Sequence, residues 1–283
     1  MLLLFHPATG MRRIARRYLG AVNKEHMKNH PKIACFSSDH GIILDGRHEI
    51  KELDFLASKV FPKPPPPRAS EGSSKKQNNP VCLDIGAYIG NHALYLADHF
   101  DKIIAFEPHP KTYRLLEMNA ELVENVVPIN KGCSNVKRKT LAYEPLMDAS
   151  STFISESSFI NSNGAFNRVE FDLELLDDMK VVNDDQTIQF IKIDVENHEL
   201  ECYEGAVNLL NKHKPVIACE VMASSIQNGK SPAIEYLKKN NYRFIYELRK
   251  TRSGKEANFD LFLTDRLTHK HHSMIICSQY NLD

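Results

Sequence analysis

Two acidic residues stand at the ends of apolar runs, and glycines lie between them. Asp84 follows Val81–Leu83, Gly86 and Gly90 come next, and Glu107 follows the apolar run Ile103–Phe106. Glycines at such a turn let a ligand approach the backbone, and an ionised carboxylate can accept hydrogen bonds from two ribose hydroxyls. The combination predicts a nucleoside-cofactor site.

The glycine spacing narrows the choice of cofactor. A dinucleotide site has a glycine in the middle of its loop for the pyrophosphate, but here Tyr88 occupies that position. The site therefore suits S-adenosylmethionine, whose sulfonium and amino-acid end carry no phosphate. The predicted cofactor contacts are Asp84, Gly86, Tyr88, Gly90, Asn91, Glu107, Pro108, Ser134 and Asp194.

Composition limits the class of protein. The chain has 283 residues and 42% hydrophobic content, which suits a globular domain with an appendage. Lys+Arg and Asp+Glu both total 36, so no global basic field favours nucleic acid or a membrane. The six cysteines are scattered and no segment has the length of a membrane span. We therefore expect reduced thiols and a cytoplasmic protein.

Three regions are predicted along the chain. Residues 1–61 form a mainly helical extension, with a basic amphipathic pattern over 11–29 and a second helical pattern from Glu49 to Val60. The basic face is predicted to be solvated, with an anionic docking partner as the alternative. Residues 62–80 form a Pro-rich, then polar, linker or surface loop, and residues 81–283 form the cofactor-binding domain.

The remaining pattern predicts an α/β fold. Strands and helices alternate from Val81, which indicates a mostly parallel sheet with helices on both faces. Helices are expected over 91–100, after Pro110, and after the strand 190–194. Residues 131–180 are polar and weakly periodic, so we expect a long irregular insertion that contributes a lid. Arg243–Glu247 and Asp260–Thr264 are predicted to form an antiparallel pair at the C-terminal edge.

Acidic residues are predicted to meet at one edge of this sheet. Asp84, Glu107, Asp194 and Glu220 each end a predicted strand, and ligands of such sheets bind beyond the carboxyl ends of the strands. Methyl transfer to an alcohol also needs a proton acceptor. The candidates are Asp194, Glu196 and His198, while Glu220 is expected on the substrate side and Lys192 as an ion-pair partner of its neighbours.

Several segments together resemble the FkbM family of S-adenosylmethionine-dependent methyltransferases. They are Asp84–Asn91, Phe106–Pro110, Asn119, Phe190–Glu196, Gly205 and Pro215–Glu220. The resemblance covers about residues 81–264 and implies a class I methyltransferase sheet, Rossmann-like, and O-methylation of a hydroxyl on a sugar or polyketide-like small molecule. The chain departs from the family at Asn197, where a glycine is usual.

Alternatives remain open at this point. Asp194 and Glu220 could share a Mg²⁺ ion that acidifies the acceptor hydroxyl. The acceptor could instead be a nucleic acid or a protein, although the turn Asp194–Asn197 lacks the proline and aromatic residue that hold a flipped base. The domain could also bind the cofactor without catalysis. The acceptor's identity and the oligomeric state stay open.

Overall fold

A computed structural model describes residues 33–35, 49–61, 79–145, 166–253, 256–267 and 273–282. The predicted basic helix over 11–29 and residues 62–78 of the predicted linker lie outside the described residues. The central part of the predicted insertion, 146–165, also lies outside them.

The regular elements alternate along most of the chain. The helices are α1 (Ile50–Lys59), α2 (Asn91–Leu96), α3 (Pro110–Ala120), α4 (Glu199–Glu204), α5 (Val207–His213) and α6 (Pro232–Lys239), with a 3₁₀ turn at Ala223–Ser225. The strands are β1 (Asn79–Ile85), β2 (Lys102–Phe106), β3 (Val126–Ile129), β4 (Gly132–Cys133), β5 (Arg138–Pro145), β6 (Phe166–Glu174), β7 (Gln186–Ile193), β8 (Val216–Val221), β9 (Phe244–Ser253), β10 (Glu256–Leu263) and β11 (Ser273–Ser278).

The main sheet has eight strands in the order β10-β9-β11-β8-β7-β1-β2-β3. Neighbouring strands from β3 to β8 run parallel, whereas β11, β9 and β10 pair antiparallel. The predicted mostly parallel sheet with antiparallel C-terminal strands is confirmed. The sequence analysis overlooked β11, which lies between β8 and β9 and joins the predicted pair to the parallel strands.

Helices cover both faces of this sheet. Leu53 and Leu56 of α1 pack in one core with residues of α2 and α3, and α4, α5 and α6 contribute to the core on the other side. Side chains alternate between the faces along a strand. Asp84 therefore shares the α1 face with Cys82, as Lys192 does with Phe190 and Glu220 with Ala218.

A small second sheet replaces much of the predicted irregular insertion. It has the order β4-β6-β5, with β5 and β6 antiparallel. The prediction of irregular structure over 131–180 is therefore wrong for these strands, and the predicted lid stays a prediction. This sheet has a small core of Ala142, Phe171 and Leu173 with Val169 packed against it, so its apolar pattern is weak in the sequence.

Some element boundaries also differ from the predictions. Strand β1 begins at Asn79, inside the predicted linker, and α2 ends at Leu96 rather than Phe100. The helix predicted after β7 is divided at Gly205, where a Cβ atom would lie 1.9 Å from the carbonyl oxygen of Ser134. In the part of the chain that the structure describes, no helix is long and apolar enough to cross a membrane.

Candidate active site

The turn after β1 lies against the end of β7. Gly86 has a φ of 77°, and a Cβ atom there would lie 1.9 Å from the carbonyl oxygen of Asp194. Asp194 in turn donates its backbone N–H to the carbonyl oxygen of Ile85 at 3.0 Å. Gly90 has a φ of 91° and precedes the buried Asn91 at the start of α2. Close approach and left-handed backbone therefore both require glycine in this turn.

Glu107 connects this turn to the loop after β2. Its Oε2 accepts the backbone N–H of Tyr88 at 3.0 Å, and its Oε1 accepts the backbone N–H of His109 at 2.8 Å. Asn130 donates its side-chain N–H to the backbone oxygens of Glu107 and Pro108. The carboxylate is thus held in place at the end of β2, where the ribose contact was predicted.

The protonation of Glu107 is shifted by its surroundings. Burial raises the pKa of Glu107 to about 8, although the two backbone N–H groups and Lys192 oppose that rise. Each carboxylate oxygen has lone pairs beyond the one that its backbone donor uses. The geometry therefore leaves Glu107 able to accept further hydrogen bonds from ligand hydroxyls once it is ionised.

Asp84 and Lys192 lie side by side on two neighbouring strands at the centre of the sheet. They are direct partners in the parallel register of β1 and β7, and Lys192 Nζ lies 3.8 Å from Asp84 Oδ1 and 3.5 Å from Asp194 Oδ2. Asp84 is fully buried, and neither of its carboxylate oxygens has a hydrogen-bond partner within the described residues. An anionic group in that state is prepared for a cationic or hydrogen-bonding ligand.

Two further acids, Glu49 and Glu220, affect the pKa of Lys192. Burial lowers the pKa of Lys192, but Asp194, Asp84, Glu49 and Glu220 together raise it above its usual value. Glu49 precedes α1, and its Oε2 lies 3.2 Å from Nε2 of His92 on α2. The sequence analysis did not select Glu49 or His92, because their approach depends on how α1 packs on the sheet.

The turn after β7 has an unusual backbone. Glu196 and Asn197 have φ values of 52° and 72°, in the left-handed region that asparagine tolerates better than most residues. Asn197, where the resemblance leads one to expect glycine, is therefore a residue that can adopt this backbone. Asn197 donates its backbone N–H to Glu199, and burial raises the pKa of Glu199 to about 7. Asn197 also approaches Met222 Sδ at 2.8 Å with its side-chain nitrogen.

Ser134 and His198 contact each other away from Lys192's ion pairs. The ring atom Nε2 of His198 lies 3.0 Å from Ser134 Oγ, and Nδ1 lies 3.6 Å from Glu201 Oε2. Burial lowers the pKa of His198, Glu201 opposes this, and Arg138 adds to it. Ser134 is 1% exposed. Its predicted cofactor contact stays a prediction, since its hydroxyl is engaged by His198 in this structure.

The proposed Mg²⁺ ligands do not form a metal cluster in the described structure. Within those residues, no three His, Cys, Asp or Glu side chains are grouped to hold an ion. Asp194 forms an ion pair with Lys192 instead, and Glu220 lies on β8 beside the same lysine. Mg²⁺ is usually held by one or two carboxylates together with water, so Asp194 and Glu220 remain the residues that a magnesium-dependent mechanism would use.

The predicted site residues lie within a segment that matches a known protein family. The sequence profile of the methyltransferase FkbM domain matches residues 84–244, a segment that contains every predicted site residue. The chain belongs to the FkbM methyltransferase family. Glu49 lies outside the matched segment.

The individual relatives described here share less than 30% sequence identity with the chain. The chain is 28% identical over 150 residues to the hexuronic acid methyltransferase AglP of Haloferax volcanii, covering 50% of this chain and 56% of AglP. It is 27% identical over 189 residues to the methyltransferase sdnD of Sordaria araneosa, covering 56% of this chain and 72% of sdnD. A crystal structure of a methyltransferase FkbM from Methylobacillus flagellatus superposes with a TM-score of 0.41 at 16% identity, covering 70% of this chain and 43% of that one.

Proposed function

We propose that this protein transfers the methyl group of S-adenosylmethionine to a hydroxyl of a sugar or another small molecule. Asp84 carries the proposal, because its buried carboxylate has no hydrogen-bond partner among the described residues and stands at the predicted cofactor loop. Membership of a methyltransferase family and the position of Glu107 add support. The acceptor class follows the similarity to a hexuronic acid methyltransferase.

The chain's residues fit the cofactor at two points. Asp84 would accept hydrogen bonds from the ammonium of the methionine part, and Glu107 would accept them from the ribose hydroxyls. Gly86 leaves no room for a side chain beside Asp194, so backbone lines this part of the loop. The proposed contact set is completed by Tyr88, Gly90, Asn91, Pro108, Ser134 and Asp194.

The reaction would be an in-line displacement, for which the bound cofactor supplies an activated methyl group on a sulfonium. The protein's task is to align the acceptor oxygen and to take its proton. Asp194 is the first candidate base, since its partly exposed carboxylate lies just beyond the carboxyl end of β7, beside Lys192. Glu196 is the second, whereas His198 has its Nε2 engaged by Ser134.

The acceptor is proposed to be small because the turn Asp194–Asn197 lacks the proline and aromatic residue that stack on a flipped base. Magnesium assistance through Asp194 and Glu220 is the alternative mechanism. A cytoplasmic location is part of the proposal and agrees with six cysteines that are all free thiols.

The test is a transfer assay with tritiated S-adenosylmethionine against pooled sugars and uronic acids, hydroxylated small molecules, RNA and protein. We expect label in the sugar or small-molecule pools and its loss in Glu107→Ala. Glu121→Ala, an exposed acid that follows α3, is the matched control. Label in RNA or protein alone would overturn the acceptor class, and cofactor binding without any transfer would support a binding module.

A further inference from the structure

One asparagine of α3 contacts the predicted cofactor turn, Gly86–Gly90. Asn119 is 2% exposed, and its Nδ2 donates to the carbonyl oxygen of Ile89 at 2.7 Å. Leu116 lies three residues earlier on the same face of α3, and a Cβ atom at Gly90 would lie 2.9 Å from its Cδ1 atom. Asn119 and Leu116 together fix the position of the turn against α3.

A second side chain holds the same turn. Glu107 Oε2 accepts the backbone N–H of Tyr88 at 3.0 Å, so Glu107 and Asn119 bond backbone groups of two successive residues. Tyr88 has a φ of 53°. A residue other than glycine keeps such a backbone only where its surroundings hold it there. The two hydrogen bonds therefore stabilise a turn conformation that tyrosine does not favour on its own.

The N-terminal extension completes the hydrogen bonding of Asn119. Ala34 donates its backbone N–H to Asn119 Oδ1 at 2.6 Å, and its carbonyl oxygen accepts from Asn119 Nδ2 at 2.9 Å. Both N–H groups of the side-chain amide are thus used, one by Ala34 and the other by Ile89. The reverse orientation of the amide would place Oδ1 against two carbonyl oxygens. Ala34 therefore fixes the orientation in which Asn119 bonds the turn, although it lies outside the segment matched to the family.

We propose that Asn119 is a positioning residue for S-adenosylmethionine, and that the N-terminal extension raises the affinity for this cofactor through Ala34. The proposal rests on the proposed function, because it takes Gly86–Gly90 as the turn that binds the cofactor. Without the bonds to Ala34, the amide can rotate away from Ile89. The binding-competent conformation of the turn is then populated less, and the apparent dissociation constant rises in proportion.

Isothermal titration calorimetry of the full chain with S-adenosylmethionine tests the role of Asn119. We expect Asn119→Ala to raise the dissociation constant about five- to thirtyfold, because the buried carbonyl of Ile89 loses its donor. Asn125→Ala is the matched control, since Asn125 Nδ2 likewise donates to two backbone carbonyl oxygens, those of Ala97 and Phe100, outside the turn. It should change the dissociation constant by less than about twofold. Thermal unfolding shows whether each variant is folded.

Ala34→Pro tests the role of the extension, because proline has no N–H to donate to Asn119 Oδ1. We expect this variant to raise the dissociation constant about two- to fivefold. Ala34→Ser keeps the backbone N–H and should bind as the unmodified protein does. This pair decides the question even where Asn119→Ala does not fold.

The transfer assay separates positioning from a general loss of stability. In the variants that bind weakly, the KM for S-adenosylmethionine should rise while kcat changes by less than about twofold. An unchanged dissociation constant in folded Asn119→Ala, or an equal rise in Asn125→Ala, would overturn the positioning role. Equal binding by Ala34→Pro and Ala34→Ser would overturn the role of the extension. Failure of the unmodified protein to bind S-adenosylmethionine would instead overturn the proposed function.

Discussion

The two edges of the candidate site differ in their backbone conformation and in their hydrogen bonding. At the proposed nucleoside edge, formed by Gly86–Gly90 and Glu107, Gly86, Tyr88 and Gly90 have positive φ values, and Glu107 accepts the backbone N–H groups of Tyr88 and His109. At the transfer turn, residues 194–198, Glu196 and Asn197 both adopt left-handed backbone, and the buried Asn197 Oδ1 has no hydrogen-bond partner among described residues.

We expect this difference to separate variants that affect binding from variants that affect the reaction. The transfer turn has two consecutive non-glycine residues with left-handed backbone, a conformation that costs free energy. Variants at the nucleoside edge should therefore change affinity, and variants at the transfer turn should change turnover.

The largest effect is expected from Asp194→Asn. If Asp194 takes the acceptor proton, turnover should fall by about 10²- to 10⁴-fold while cofactor affinity changes little, because a base acts only in the transition state. Turnover and the cofactor dissociation constant are measured side by side, with the exposed Asp98→Asn as control. Parallel losses in both quantities would place Asp194 with the cofactor instead. Glu196→Gln tests the second candidate in the same way.

At the nucleoside edge, Glu107→Ala should weaken S-adenosylmethionine binding at pH 9, where Glu107 is mostly ionised, by about 1.5 to 3 kcal/mol, the usual range for hydrogen bonds to a charged group. Calorimetry measures this, and Glu121→Ala should leave the dissociation constant unchanged. A folded Glu107→Ala variant with unaltered affinity would contradict the ribose assignment.

Spacing in the sequence brought together residues that lie close in the structure. Asp84 lies on β1, Gly86 and Gly90 lie in the turn after it, and Glu107 directly follows β2. Glu49 was missed because only the packing of α1 brings it to His92. The spacing of polar residues along the sequence cannot reveal such a contact.

The same distinction holds for the fold. Buried strands such as β1 and β7 are continuous apolar runs and were predicted, although with shifted ends. The β5–β6 pair was read as irregular because Ala142, Phe171 and Leu173 give it only a small buried face. The contact of Ser134 with His198 joins residues far apart in the chain, so neither could be assigned to the other in advance.

The nucleoside edge should also respond to pH. Since burial raises the pKa of Glu107 to about 8, ionisation above that pH should strengthen S-adenosylmethionine binding about tenfold between pH 7 and pH 9. Glu107→Gln should flatten this dependence. In the unliganded protein, folding raises the pKa of Glu107. The free energy of unfolding should therefore fall as the pH rises from the ordinary pKa of a glutamate to about 8. A flat affinity profile for the unmodified protein would show that Glu107 is ionised throughout.

The strain at the transfer turn predicts a smaller effect on stability. Asn197→Ala should lower the free energy of unfolding by about 1 kcal/mol, because alanine tolerates left-handed backbone less well than asparagine. Asn197→Gly should remain within about 0.5 kcal/mol of the unmodified protein, since relief of strain offsets the greater freedom of the unfolded chain. Denaturant unfolding measures both. If glycine destabilised as much as alanine, the side-chain contact with Met222 rather than the backbone would determine the residue.

The smallest expected effect is that of a chelator, which should leave turnover unchanged. A cation shared by Asp194 and Glu220 would have to sit near the ammonium of Lys192, whose Nζ lies 3.5 Å from Asp194 Oδ2. Two positive charges at such separation repel strongly in a partly buried site. Turnover is compared before and after treatment with EDTA, and again with added Mg²⁺. Loss of activity that Mg²⁺ restores, together with a Glu220→Gln variant that behaves like the chelated enzyme, would make Glu220 a metal ligand and replace base catalysis by metal assistance.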